Sequence, residues 1–141
     1  MRIFILEDDP VRIGFFLRTL SEHIGDTDEI HLATDADSAL FIFAPPYDLL
    51  LLDHDLGGRT YVESHDPNTG YQFLLRVRDR IDTQTHAIVH SWNPSGAWAM
   101  MRLLHDEGIP VARHAFDPKT FEMILPFYIE HRRRRPVEQA A

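Results

Sequence analysis

Four leucines in succession, Leu49 to Leu52, constrain this chain more than any other stretch. Side chains alternate between the two faces of a strand, so a run that is apolar at every position is buried on both. Strands of that kind belong to parallel sheets covered by helices above and below. The remaining sequence agrees. RIFIL (2–6), EIHLAT (29–34), the leucine run, HAIVHS (86–91) and IPVARHAF (109–116) read as strands. Helical stretches separate them. They run from Asp8-Asp9-Pro10 to about Gly25, over 35–44, over 71–81, from Asn93-Pro94 through Leu104 to Gly108, and from Asp117-Pro118 into Arg132 to Arg135. Five strand-then-helix units predict an α/β fold with one doubly wound, five-stranded parallel sheet, for which 2-1-3-4-5 is a common order. At 141 residues the chain fits one domain, expected over 1–130 with a basic tail over 131–141.

Composition narrows the chemistry. The chain has no cysteine, which removes disulfides, zinc-thiolate sites and a thiol nucleophile and suits the cytoplasm. The amino-terminal MRIFILEDDP turns acidic too soon for a signal peptide, and no apolar run approaches the roughly 20 residues a membrane helix needs. A soluble cytoplasmic protein without membrane contact is the expectation. The formal net charge of −8 argues against general nucleic-acid binding and fits a cation site or simple solubility.

In a 2-1-3-4-5 sheet, strands one, three and four are neighbours, and ligands bind beyond their carboxyl ends. Those ends carry Glu7-Asp8-Asp9, Asp53-His54-Asp55 and His90-Ser91-Trp92-Asn93. Carboxylates gathered this closely repel one another unless protons or a cation intervene. Glu7, Asp8 and Asp53 therefore point to a hard divalent ion, Mg²⁺ or Mn²⁺, with Asp9 and Asp55 in support as a helix cap and an orienting group.

The strand RIFILEDDP, the LLLLD strand end and the hydroxyl residue Ser91 ending strand four together resemble a response-regulator receiver domain, over most of the chain to about residue 125. The resemblance implies a flavodoxin-like fold with the sheet in the order 2-1-3-4-5, Mg²⁺ held by Glu7, Asp8 and Asp53, Asp53 as phosphoryl acceptor, and Ser91 as the hydroxyl switch residue. Two departures stand out. Receivers end strand five in lysine and proline, whereas this strand reads VARHAFDP; the only lysine is Lys119, leaving Arg113 or His114 as substitutes. The stretch from Gly57 to Tyr71 is also longer than a receiver's loop. LDHDLGG and HSWNPSGAWAM instead resemble cyclic-phosphate-processing receiver-like domains, with their D-H-D-L-G and H-S-x-N-P-x-G patterns.

Opening a 2′,3′-cyclic phosphate needs an activated water, a proton for the departing oxygen and charge neutralisation at phosphorus. His54 and His90 are expected as an acid–base pair beside Asp53, with Ser91, Asn93 and the amides opening the next helix binding phosphate. Three functions fit this set. One is a metal-dependent phosphoesterase acting on a phosphate-containing small molecule or an RNA end. The others are a signalling module phosphorylated on Asp53 and a non-catalytic binding domain. Lesser expectations are base stacking by Trp92, core packing for Trp98, a lid carrying His65 and Asp66, and a solvated helix end at Arg132 to Arg135.

Overall fold

The computed structural model describes residues 1–134. Its elements are β1 (Arg2–Leu6), α1 (Pro10–Ser21), β2 (Glu29–Ala33), α2 (Ala36–Ile42), β3 (Leu49–Leu52), α3 (Gly70–Val77), β4 (His86–Val89), α4 (Pro94–Asp106), β5 (Val111–Arg113) and α5 (Pro118–Arg133). All strand pairings are parallel and the order is β2-β1-β3-β4-β5, as expected.

Each of α1 to α5 starts on a side chain that accepts a backbone N–H of its first turn: Asp9, Asp35, Thr69, Asn93 and Asp117. Proline at the first helical position reinforces three of these starts, where its missing N–H costs nothing. The apolar stripe of Phe73, Leu74 and Val77 marks α3, but no proline marks its start, so the helix expected over 71–81 begins one residue earlier at Gly70, capped by Thr69, and ends at Val77.

The leucine run divides the core as its alternation requires. Leu50 and Leu52 join Phe4, Leu6, Phe73, Leu74 and Met100 on the face covered by α2, α3 and α4. Leu49 and Leu51 join Ile3, Ile5, Phe16, Phe121 and Leu125 beneath α1 and α5. All four leucines are fully buried, each contributing about 1.5–3 kcal/mol relative to exposure.

The strands are shorter than expected where the chain turns toward chemistry. β4 ends at Val89 and β5 covers only Val111–Arg113, although the amides of His114 and Phe116 still bond to the carbonyls of Val89 and His90. Trp98 is not in the core: it is 61% exposed, with the Arg102 guanidinium over its ring. The arginines at the end are not a free basic patch. Arg132 pairs with Asp48 at 3.0 Å, Arg133 with Asp28, and Arg134 with Glu130 at 2.6 Å; Arg135 lies outside the described residues.

Candidate phosphate and cation site

The sheet register sets the site. Leu6 stands opposite Leu52, and Leu52 opposite Val89, so Glu7, Asp53 and His90 emerge side by side at the carboxyl edge. Glu7 and Asp53 form the floor of a crevice of about 310 Å³, lined among others by Asp8, Asp9, Arg12, Asp55, Tyr61 and Trp92, and His90 lies beneath that floor.

Glu7 is fully buried. Its Oε1 accepts a hydrogen bond from His90 Nε2 at 2.9 Å, and its Oε2 accepts the amides of Asp8 and Asp9 at 2.9 and 3.1 Å. Burial alone would push its carboxyl up, but His90 and these amides hold it well below the usual range. Asp53, 4% exposed, accepts the His54 amide on Oδ1 at 2.9 Å. Burial, and then the charge of Glu7, push its carboxyl up to about 8. Asp8 is also raised, chiefly by burial, and accepts the Gly58 amide at 2.5 Å from across the crevice.

This donor set fits a hard divalent cation. Two buried carboxylates lie side by side, and the Arg12 guanidinium, at 3.6 Å from Glu7 and 3.9 Å from Asp53, is too far to hydrogen-bond either. The ligand atoms that lie mutually within 4.8 Å among the described residues belong to Glu7, Asp53 and His90. Asp8 stands outside that set, on the lip of the same crevice.

The two histidines do not meet at the crevice. Both are fully buried and neither lines it. His90 lies under Glu7 and packs edge-on against Phe16, and its Nδ1 has no hydrogen-bond partner among the described residues. His54 follows the strand's alternation. Asp53 turns to the crevice, so its neighbour turns away and lodges against α4. There Nδ1 meets Asp55 Oδ1 at 2.7 Å and Nε2 meets Ser64 Oγ at 2.9 Å. Gly96 is what makes the room: a Cβ at that position would lie 2.4 Å from the imidazole.

Asp55 is the hub of the following loop. It accepts the amides of Tyr61 (2.6 Å) and Val62 (3.3 Å) and the Asn93 side-chain N–H (3.0 Å). These bonds hold Tyr61 at φ +53°, left-handed backbone that disfavours a bulky residue. An Asp55–Thr69 bridge and the Gly70 N–H on His54 O close the loop at its base. The segment is thus a braced wall rather than a loose lid. It turns Arg59, Thr60 and Tyr61 into the crevice, while Asp66 is held by Arg59 at 2.8 Å and His65 lies off the site.

Two further expectations change. Both N–H donors of Asn93 are engaged, on Asp55 and on Val62 O (2.9 Å), and its Oδ1 caps α4, so the side chain has no donor left for a phosphate. Arg113 and His114 do not line the crevice; Arg113 donates to Ser91 O at 3.0 Å. Ser91 does line it. So does Arg12, which sequence reasoning missed. Its signal was position, for a residue three beyond an Asp-Pro helix start lies in the first turn, beside the strand end.

An α/β sheet of this order with an acidic crevice at the ends of β1, β3 and β4 defines a receiver-like domain. The solved structures similar to it agree on the fold. The phosphorylated cyanobacterial phytochrome response regulator RcpA matches with a TM-score of 0.62 at 16% identity, over 94% of each chain. The non-phosphorylated HemR receiver domain from Leptospira biflexa matches with a TM-score of 0.61 at 21% identity, over 96% of this chain and 97% of that one. The Mn²⁺-bound form of response regulator Rcp1 matches with a TM-score of 0.60 at 14% identity, over 89% of each. Residues 3–106 match the family model of the cyclic-phosphate processing receiver domain, and the chain belongs to that family. No curated protein matches it in sequence. Among the described residues no helix is long and apolar enough to cross a membrane.

Proposed function

We propose that this domain is a metal-dependent phosphoesterase acting on cyclic or terminal phosphates of nucleotides or RNA ends. The observation that carries the reading is the crevice itself. A floor of buried, under-neutralised carboxylates lies between two exposed aromatic side chains, Trp92 (58%) and Tyr61 (72%), which offer stacking faces to a base. Glu7, Asp8 and Asp53 would hold Mg²⁺ or Mn²⁺, which supplies Lewis-acid neutralisation of phosphate charge.

The chain's own groups divide the remaining work. The Ser91 hydroxyl accepts the Asn93 amide at 3.1 Å and keeps its own proton to donate to a phosphate oxygen. His90 fixes the orientation and charge of Glu7, as partners of metal-binding carboxylates do. His54, with Asp55 and Asn93, builds the wall that carries Tyr61. On this reading both imidazoles act through other residues rather than on the phosphate. The test is a panel of 2′,3′-cyclic nucleotides and phosphate-ended oligoribonucleotides, assayed with Mg²⁺ and with Mn²⁺. Metal-dependent turnover that Asp53→Asn abolishes is the expected result. A panel left intact by protein with bound metal would refute the reading.

A second reading has its own support. Asp53 ends β3 and faces the crevice, and one structural neighbour is a phosphorylated response regulator, so Asp53 is also a candidate phosphoryl acceptor. Incubation with Mg²⁺ and acetyl phosphate, followed by mass spectrometry, separates the two. A gain of one phosphoryl group, lost in Asp53→Asn, favours the signalling module.

A further inference from the structure

Two arginines line the crevice, Arg12 and Arg59. Their donors are differently committed. Arg59 grips Asp66 with both terminal nitrogens, at 2.8 and 3.1 Å, and also donates to Leu56 O and Asn68 O. Arg12 is held by its faces instead. Its guanidinium carbon lies 4.7 Å from the centre of the Trp92 ring and 5.0 Å from that of Phe116. Its nitrogens approach Glu7 at 3.6 Å, Asp9 at 3.8 Å and Asp53 at 3.9 Å, all longer than hydrogen bonds. The side chain is 17% exposed, so it is pinned over the floor with its forked donors unspent on these three acids.

We propose that Arg12 is the phosphate-binding cation of this crevice, which extends the reading of the crevice as a cation and phosphate site. Without a bound cation the Arg12 guanidinium is the positive group facing Glu7 and Asp53. With those carboxylates engaged by a cation, its attraction to them weakens and its planar fork is left to bind two phosphate oxygens. The stacked aromatics keep the plane in place in both states. The role that receivers give to a lysine at the end of β5 passes here to the first turn of α1.

Calorimetric titration of inorganic phosphate into the full chain, with and without saturating Mn²⁺, tests this in the parent, Arg12→Gln, Arg12→Lys and Arg113→Gln. The parent should bind phosphate more tightly with Mn²⁺ present. Arg12→Gln should lose about 10-fold or more in that affinity, and Arg12→Lys, which keeps the charge but not the fork, about 3- to 10-fold. Arg113→Gln should match the parent. Mn²⁺ alone should bind Arg12→Gln at least as tightly as the parent, because a competing cation is gone. Arg12→Lys preserves the charge balance over Glu7 and Asp53, so it carries the test if the glutamine variant does not fold. Phosphate affinity unchanged in Arg12→Lys and Arg12→Gln, or no phosphate binding by the parent in either condition, overturns the proposal. A parent that binds phosphate through Arg12 yet hydrolyses no cyclic phosphate refutes only the phosphoesterase reading.

Discussion

Replacing Gly96 with alanine asks whether the D-H-D-L-G and H-S-x-N-P-x-G segments form one packed unit. Gly96 lies in the first turn of α4, where an added Cβ would stand 2.4 Å from His54 Cγ and Nδ1 and 2.7 Å from Cδ2. Non-bonded carbons rest about 3.5–4.0 Å apart, so one side must move by about 1 Å. The ring cannot yield cheaply, being fully buried with its nitrogens on Asp55 and Ser64 at 2.7 and 2.9 Å. Overpacking of this kind costs about 1–3 kcal/mol, and a ring hydrogen bond lost in the shift adds about 1 kcal/mol. The gain of alanine over glycine in a helix, up to about 1 kcal/mol, offsets part of this. The expected net is a loss of about 1–3 kcal/mol. Gly14 supplies the control. It is exposed on α1 with nothing within 4 Å of a Cβ, so Gly14→Ala should stabilise by about 0.5–1 kcal/mol. Urea unfolding followed by circular dichroism reads both, and hydrogen exchange should show residues 57–69 opening faster in Gly96→Ala. A Gly96→Ala protein stabilised as much as Gly14→Ala, with the loop equally protected, would refute the packing of His54 against α4.

Three other outcomes follow from the site. Burial and the Glu7 charge hold the proton on Asp53 up to about pH 8, against about 3.9 in an unfolded chain. The folded state therefore binds more protons, and Asp53 makes stability fall as pH rises from about 4 to about 8. Asp53→Asn should remove that slope and be the more stable protein at pH 8 by upward of about 1 kcal/mol, while losing most of its Mn²⁺ affinity by calorimetry; an unchanged slope would be the contrary result. Mn²⁺ at about 100 times its dissociation constant should stabilise the parent by about 2.7 kcal/mol but leave Asp53→Asn nearly unaffected, as thermal unfolding would show. Asp55→Ala strips the Tyr61, Val62 and Asn93 partners together, so limited proteolysis should cut within 57–69 much sooner than in the parent, and stability should drop by about 2–3 kcal/mol.

The sequence by itself determined the sheet. Four leucines with no polar face, and Asp-Pro or Asn-Pro starts on three helices, leave few alternatives to a parallel sheet covered on both sides, and the family motifs set its order. It also brought Glu7, Asp8 and Asp53 to one crevice, because their places are set by where strands end. The roles of the histidines needed the tertiary structure. A strand alternates, so Asp53 and His54 could not both face one crevice, but which of them did depended on α4 presenting Gly96 to one side of β3. That contact joins residues far apart in sequence and leaves no periodic trace. Arg12 was hidden for the same reason. Its place over the floor is decided by Trp92 and Phe116, brought from the ends of β4 and β5, and a stacking contact between three separate segments has no local signature.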